Sequence, residues 1–276
     1  DSTQLQEEIF ILQGFPHMAG AGEAHPLAIA ANALFVEHSH VHFIQDEHVL
    51  GFHGSIPHHG LIFFFGATVV MRIRLGSLEP RTITEDFCRR AAALNNLCPH
   101  FHLSMQSGCD ETLRRMNRRY DTARYYESVE LLRAHFPGVA VTTDLIVGFP
   151  GETEEEFEKT LLFIRRCGFA QIHVFPYSIR PGTRAAAMEQ VPKAIKEERA
   201  ARAGETARQL HEQYLRGCVG QVLPVLFEQP GEPGFYMGHA PNYMEVAAPG
   251  ENLHNCLRPV RITGVEGGIL KGEIEL

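Results

Sequence analysis

From residue 72 onward, short apolar runs alternate with charged, helix-prone stretches, and this alternation limits the possible folds more than any other feature of the chain. Its clearest unit begins at Val139. Residues 139–147 are rich in β-branched side chains and lie between Pro137-Gly138 and Pro150-Gly151, the pattern of a buried parallel strand. Pro-Gly ends that strand, because proline lacks a ladder N–H and glycine accepts the turn. Thr153 and Glu156 then have the spacing of a capping box, and Glu154 and Glu155 put negative charge at the positive end of a helix dipole. Phe157, Leu161 and Ile164 share one face of that helix. Strands are expected likewise at 72–77, 100–106 and 171–178, and helices at 84–94, 110–116, 122–135, 153–167 and 193–216. Such an order predicts right-handed βαβ crossovers and a parallel sheet or barrel, with its working groups at the carboxyl ends of the strands.

The first 71 residues read differently. They hold nine of the 16 histidines and seven of the 33 acidic residues, but no Lys, Arg, Cys or Tyr, so nearly the whole net charge of −8 belongs to them. His38, His40 and His42 would share a strand face, yet no pattern of supporting carboxylates accompanies them and no metal site is assigned. The six cysteines are dispersed without a C-x-x-C, which argues against a disulfide framework or a zinc site and for a reducing, cytoplasmic setting. No run of about 18 apolar residues suits a membrane span, and DSTQLQEE is unlike a signal peptide. A chain opening on Asp1 reads as a fragment or a processed form.

The expected strand tips are polar: Ser77 and Glu79, Gln106 and Ser107, Thr143 and Asp144, Tyr177 and Ser178. Four such tips suit a ligand with hydroxyls and a charged end, whereas a single buried Asp144 is equally explained by hydrogen bonding within the core. LRRMNRRY at 113–120 sets Arg114, Arg115, Arg118 and Arg119 just past the second tip, fit for a carboxylate or phosphate, or for a solvated helix face. GFPGET lacks the Gly-Lys-Ser/Thr ending of a phosphate loop. Beyond residue 216, short β-prone runs separated by Gly, Pro and Asn turns read as a small β-barrel.

RIRLGSLEP (72–80), CPHFHLSMQSGCD (98–110), LRRMNRRYDT (113–122), TTDLIVGFPGETEEEFEKT (142–160) and HVFPYSIRPGTRAAAM (173–188) stand in one order. In that order they resemble the radical S-adenosylmethionine (radical SAM) methylthiotransferases. The likeness is greatest to the branch acting on threonylcarbamoyladenosine in tRNA. Sister branches act on isopentenyladenosine in tRNA or on a ribosomal protein, and share GFPGET and YS-x-R-x-G-T. The resemblance implies an α/β chain: residues 72–216 as a partial radical SAM (β/α) barrel and 217–276 as a TRAM-like RNA-binding β-barrel, with 1–71 unmatched. It implies S-adenosylmethionine and a 4Fe-4S cluster as cofactors, a deoxyadenosyl radical, and methylthio transfer. Carried onto this chain, Ser77, Glu79, Gln106 and Ser107 would line the cofactor site and Arg118 would pair with the methionine carboxylate. Thr143 and Asp144 would face the ribose, and Tyr177 and Ser178 the adenine. The implied partner is tRNA, met by Arg114, Arg115, Lys193 and Lys196, and in the tail by Arg258, Arg261 and Lys271 with Tyr236 and Tyr243.

One departure is large. The family binds its cluster through C-x-x-x-C-x-x-C, thiolate ligation being the rule for such clusters, and that motif belongs upstream of RIRLGSLEP. Here no cysteine precedes Cys88. The family's amino-terminal domain is missing as well. The expectation is therefore a truncated methylthiotransferase that, by itself, neither binds the radical cluster nor cleaves S-adenosylmethionine. The alternatives are a non-catalytic tRNA-binding remnant or a member of a sister branch.

Overall fold

Each strand–helix unit is closed by its own sequence. In the computed structural model, which describes residues 72–275 and the backbone of three earlier strands, Thr153 caps α4 (Glu154–Cys167) and Glu156 returns the bond to the Thr153 N–H. Gly168, at φ 58°, ends that helix in the left-handed conformation that glycine adopts without a Cβ penalty. Thr84 and Asp121 cap α1 (Glu85–Ala92) and α3 (Thr122–His135) in the same way, each cap contributing about 1 kcal/mol. The three earlier strands are β1 (Glu8–Leu12), β2 (His40–Gln45) and β3 (His48–Phe52). The side chains of the histidine-rich pieces, and with them His38, His40 and His42, lie outside the described residues.

β5 (His100–His102), β6 (Ala140–Val147) and β7 (Gln171–Pro176) form a parallel sheet in that order. β4 (Arg72–Leu75) joins β5 through bridges from Ile73 to Leu97 and from Leu78 to Leu103, and pairs in parallel with β1. β1, β2 and β3 continue that side, the last two antiparallel. Period-2 alternation sends Ile73, Leu75, Phe101, Leu103, Val141, Leu145 and Val147 toward the helices, where they join Phe87, Tyr125, Leu132, Phe157 and Ile164 in one core. Truncating any of these phenylalanines to alanine would cost roughly 3–5 kcal/mol.

The last five strands are β8 (Val222–Pro230), β9 (Phe235–His239), β10 (Glu245–Pro249), β11 (Cys256–Glu266) and β12 (Ile269–Ile274). They close into a barrel, ordered β10-β12-β11-β8-β9, around a second core that includes Val225, Phe227, Val246, Val260 and Leu270. The architecture is thus α/β, a partial parallel barrel followed by a closed β-barrel. α5 (Lys193–Cys218) spans the two, with Ala203 and Ala207 in the first core and Leu215 and Cys218 in the second. The sequence expectation ended this helix at residue 216, and the two further residues carry it into the barrel core.

The barrel also seals the lower part of the sheet's concave face. Arg72 donates to the carbonyls of His239 (3.1 Å) and Pro224, and Arg74 to that of Pro241 (3.1 Å). Tyr243 lies beneath Arg74, 4.2 Å from guanidinium carbon to ring centre, and meets the rings of His100 at 5.1 Å and His239 at 4.8 Å.

Candidate cofactor and nucleic-acid site

Alternation along the strands divides the expected ligand residues between two faces. His102, Asp144 and His173 fall on the concave face, where the register sets Asp144 opposite His173 and Thr142 opposite His102. Asp144 Oδ2 lies 3.5 Å from His102 Nε2, and its side chain is 34% exposed, enough to meet a ligand. The His102 contact, helped by His173 and opposed by burial, holds the Asp144 carboxyl below its ordinary range, so it is ionised at neutral pH.

Thr143 corrects the expectation. As Asp144's neighbour in an extended strand it must point the other way, and it is fully buried in the helix layer. Its hydroxyl donates to the Leu103 carbonyl (2.6 Å) and accepts from Met105 N–H (3.1 Å) and Tyr125 O–H (3.3 Å). Thr143 ties β6 to the end of β5 and shares no surface with Asp144. Ser107 is also fully buried, accepting from Cys109 N–H (3.3 Å) and facing Thr160 (3.5 Å), so it shapes the entry to α2 (Asp110–Arg115).

Gln106 does extend the sheet edge. It adopts φ 67°, a left-handed conformation costing a residue with a Cβ about 1 kcal/mol. Two backbone bonds to β6 hold it there: its N–H donates to the Asp144 carbonyl (3.0 Å) and its carbonyl accepts from Ile146 (2.9 Å). Tyr177 N–H donates to the Val147 carbonyl (2.8 Å) and so stands at the carboxyl end of β6, whereas Gln106 joins that strand at Leu145 and Asp144 lies within it, three residues before its end. The Tyr177 ring packs on Phe149, and its hydroxyl oxygen is buried without a hydrogen-bond partner among the described residues. Ser178 is exposed, and Ser77 is half-buried just before the Leu78 bridge. Glu79 and Arg118 meet each other at 3.4 Å, both partly exposed.

A pair that sequence reasoning passed over shapes the same edge. Glu152, from GFPGET, is buried against Arg199 of α5 at 3.0 Å and accepts the Gly148 N–H at 2.6 Å. Burial raises its pKa despite the guanidinium. The only hint was an acid directly after the Pro-Gly turn.

The expected RNA contacts also separate. Arg115 is tied to Glu156 and Thr112 at the cap of α4. Lys196 donates to the Tyr177 carbonyl (3.2 Å), and Lys193 is exposed beside Glu197. Arg261 pairs with Glu275, and Lys271 with Glu266 (3.5 Å) over the Phe235 ring. Arg258 is exposed and carries no acidic partner among the described residues. Tyr236 is half-buried, and Tyr243 is committed to the sheet contact already described. By contrast, Arg81, Arg114, Arg118, Arg119 and Arg124 converge on an open concavity of about 610 Å³, shared with Asp110, Tyr120 and Asp121. Arg81 and Arg119 are exposed there, with no ion pair among the described residues.

Residues 36–164 match the sequence profile of the Radical SAM superfamily, beginning inside the histidine-rich segment. The threonylcarbamoyladenosine tRNA methylthiotransferase MtaB of Chlamydia pneumoniae is 38% identical over 209 residues, 74% of this chain and 49% of that protein. The tRNA-2-methylthio-N(6)-dimethylallyladenosine synthase of Moorella thermoacetica is 40% identical over 207 residues, 74% of this chain and 47% of its own. This chain is a relative of the radical SAM methylthiotransferases. It spans about half the length, or less, of those two proteins. Among solved structures, the coproporphyrinogen III oxidase of Escherichia coli superposes with a TM-score of 0.43 at 15% identity, over 69% of this chain and 46% of the other.

The radical SAM cluster does not fit the residues present. All six cysteines lie at or beyond position 88, and five of them are buried. Burial raises the Cys109 thiol, which donates to Glu111 (2.9 Å). Among the described residues, the one group of potential ligands close enough to share an ion is Cys109, Glu111 and Glu156. It offers a single thiol, and its Glu156 is already bound to Arg115. S-adenosylmethionine is better matched: an ionised carboxylate within β6, a partly exposed Glu79–Arg118 pair and a Tyr177 hydroxyl without a partner among the described residues offer the polar groups it needs.

Proposed function

We propose that this chain is the nucleoside-binding and tRNA-contacting part of a tRNA methylthiotransferase of the threonylcarbamoyladenosine type, without radical chemistry of its own. The observation that carries it is Asp144, ionised on the concave face within β6, with Gln106 bonded to its backbone and related methylthiotransferases over the same chain. Asp144 would accept hydroxyls of S-adenosylmethionine. Arg118 would leave Glu79 for the carboxylate, and Tyr177 would line the base. RIRLGSLEP with CPHFHLSMQSG supports the threonylcarbamoyladenosine branch, while relatives named for the dimethylallyl nucleoside keep a sister branch as the competing outcome.

In this reading, residues 72–216 are the partial barrel and 217–276 a TRAM-like module, working with tRNA in the cytoplasm. No helix among the described residues is long and apolar enough to cross a membrane. Phosphates would enter the arginine concavity, since guanidinium groups bind phosphate oxygens in fixed forks. The cluster would be held by a C-x-x-x-C-x-x-C motif that residues 1–276 do not contain. The test is titration calorimetry of the purified chain with S-adenosylmethionine and with tRNA bearing or lacking threonylcarbamoyladenosine, followed by anaerobic cluster reconstitution. Binding of both, loss of S-adenosylmethionine binding in Asp144→Ala, and no deoxyadenosine are expected. Unchanged affinity in Asp144→Ala removes the site assignment, and a stable cluster releasing deoxyadenosine overturns the binding-only reading.

A further inference from the structure

Four side chains of β5 and β6 form a single polar file on the concave face. His100 Nε2 lies 3.2 Å from Thr142 Oγ1, which lies 3.1 Å from His102 Nδ1. His102 Nε2 in turn stands 3.5 Å from Asp144 Oδ2. The file runs from beneath the C-terminal barrel, where Tyr243 packs between His100 and Arg74, to Asp144 within β6.

Both ends demand the same hydrogen arrangement. His100 is buried, and desolvation first, then Arg74 and His102, push it down to about 3, so it carries one ring hydrogen. Its Nδ1 is buried without a partner among the described residues, and a bare lone pair is cheaper there than an orphaned N–H. The hydrogen therefore sits on Nε2 and is donated to Thr142 Oγ1. The Thr142 hydroxyl then donates to His102 Nδ1, leaving the His102 hydrogen on Nε2, facing the Asp144 carboxylate. That end requires a donor too, since a lone pair opposite a carboxylate would repel it.

We propose that His102 is a positioning residue for Asp144: the His100–Thr142–His102 file fixes the Nε2–H form of His102, which pins the carboxylate and leaves Oδ1 for a ligand hydroxyl. This rests on Asp144 being the ligand-binding group proposed above. The titratable groups facing Asp144 are His102 from β5 and His173 from β7. Only the former belongs to the file.

Nitrogen-15 spectra of the histidine rings in the intact chain test the arrangement directly: His102 is expected with Nε2 protonated and Nδ1 bare, and the opposite tautomer overturns the proposal. Carbon-13 titration of the Asp144 carboxyl tests the consequence. Its midpoint should rise in His102→Leu and return toward the wild-type value in His102→Gln, whose amide still donates. An unmoved midpoint in His102→Leu overturns the proposal, and Thr142→Val, which breaks the file without touching Asp144, should leave His102 in mixed tautomers if the leucine variant does not fold. S-adenosylhomocysteine, a stable probe, should bind about tenfold more weakly to His102→Leu than to His102→Gln. If Asp144→Ala binds that probe as wild type does, the ligand reading fails, while the spectra still decide the file.

Discussion

Replacing Arg199 with methionine removes the guanidinium that secures the GFPGET turn and keeps most of the side-chain volume. Arg199 and Glu152 are 5% and 1% exposed, and one guanidinium nitrogen donates to both the Glu152 carboxylate and its carbonyl at 3.0 Å. The second contact, to Glu154 at 3.2 Å, reaches a half-exposed carboxylate and is worth little. The variant therefore leaves one carboxylate buried and unpaired, a loss of about 3–5 kcal/mol. For a chain of this size that lowers the melting temperature by roughly 6–20 °C. Thermal and urea unfolding followed by circular dichroism would measure it. The double variant Glu152→Gln/Arg199→Met should recover at least half of the loss, because a neutral amide can still accept the Gly148 N–H. The pH dependence has a definite sign. The folded pKa of Glu152 is raised, so its contribution is complete below the unfolded value and is lost as pH rises through the folded one. The deficit of the single variant should accordingly narrow as pH falls. A loss under about 1 kcal/mol, or no recovery in the double variant, would refute the view that this pair sets the turn.

Three further outcomes follow from the same geometry. Asp144→Asn should bind S-adenosylmethionine about tenfold more weakly by calorimetry, since a charge-assisted acceptor is replaced by a neutral one. Arg81→Glu with Arg119→Glu should weaken tRNA binding and reduce the slope of log affinity against log salt by about 2, measured by filter binding across a salt series. Gly238→Ala should destabilise the C-terminal barrel by several kcal/mol in urea unfolding, because the added Cβ would collide with the Leu226 carbonyl and lie 2.7 Å from Phe227 Cα. Wild-type stability in that variant would mean that β8 and β9 are not packed so closely.

The elements were legible wherever local chemistry decides them. The strand ending at Val147, the Pro-Gly stop and the Thr153–Glu156 box appear as the sequence predicts. Strand length was less legible at the second tip. The run expected over 100–106 is regular only through His102, because Ser104 N–H turns to the Leu78 carbonyl and Gln106 takes a left-handed conformation before rejoining β6. Of the expected strand-tip residues, Tyr177 stands at the end of β6, Gln106 joins it at Leu145, and Asp144 lies within the strand because β6 runs on to Val147. Thr143 and Ser107 face the helices because adjacent strand residues diverge, and because the turn into α2 needs an acceptor.

Sequence alone determined the alternation of strands and helices, the closed β-prone tail, the family likeness, and the absence of cysteine before position 88. These follow from composition, capping and periodicity, which act over a few residues at a time. Only the tertiary structure decided which arginines are spent on carboxylates and which stand free around the concavity, that Glu152 is gripped by a helix 47 residues away, and that a file of histidines reaches Asp144. Those outcomes depend on strand register and on docking between distant elements, where a slip of one residue would turn each side chain to the opposite face.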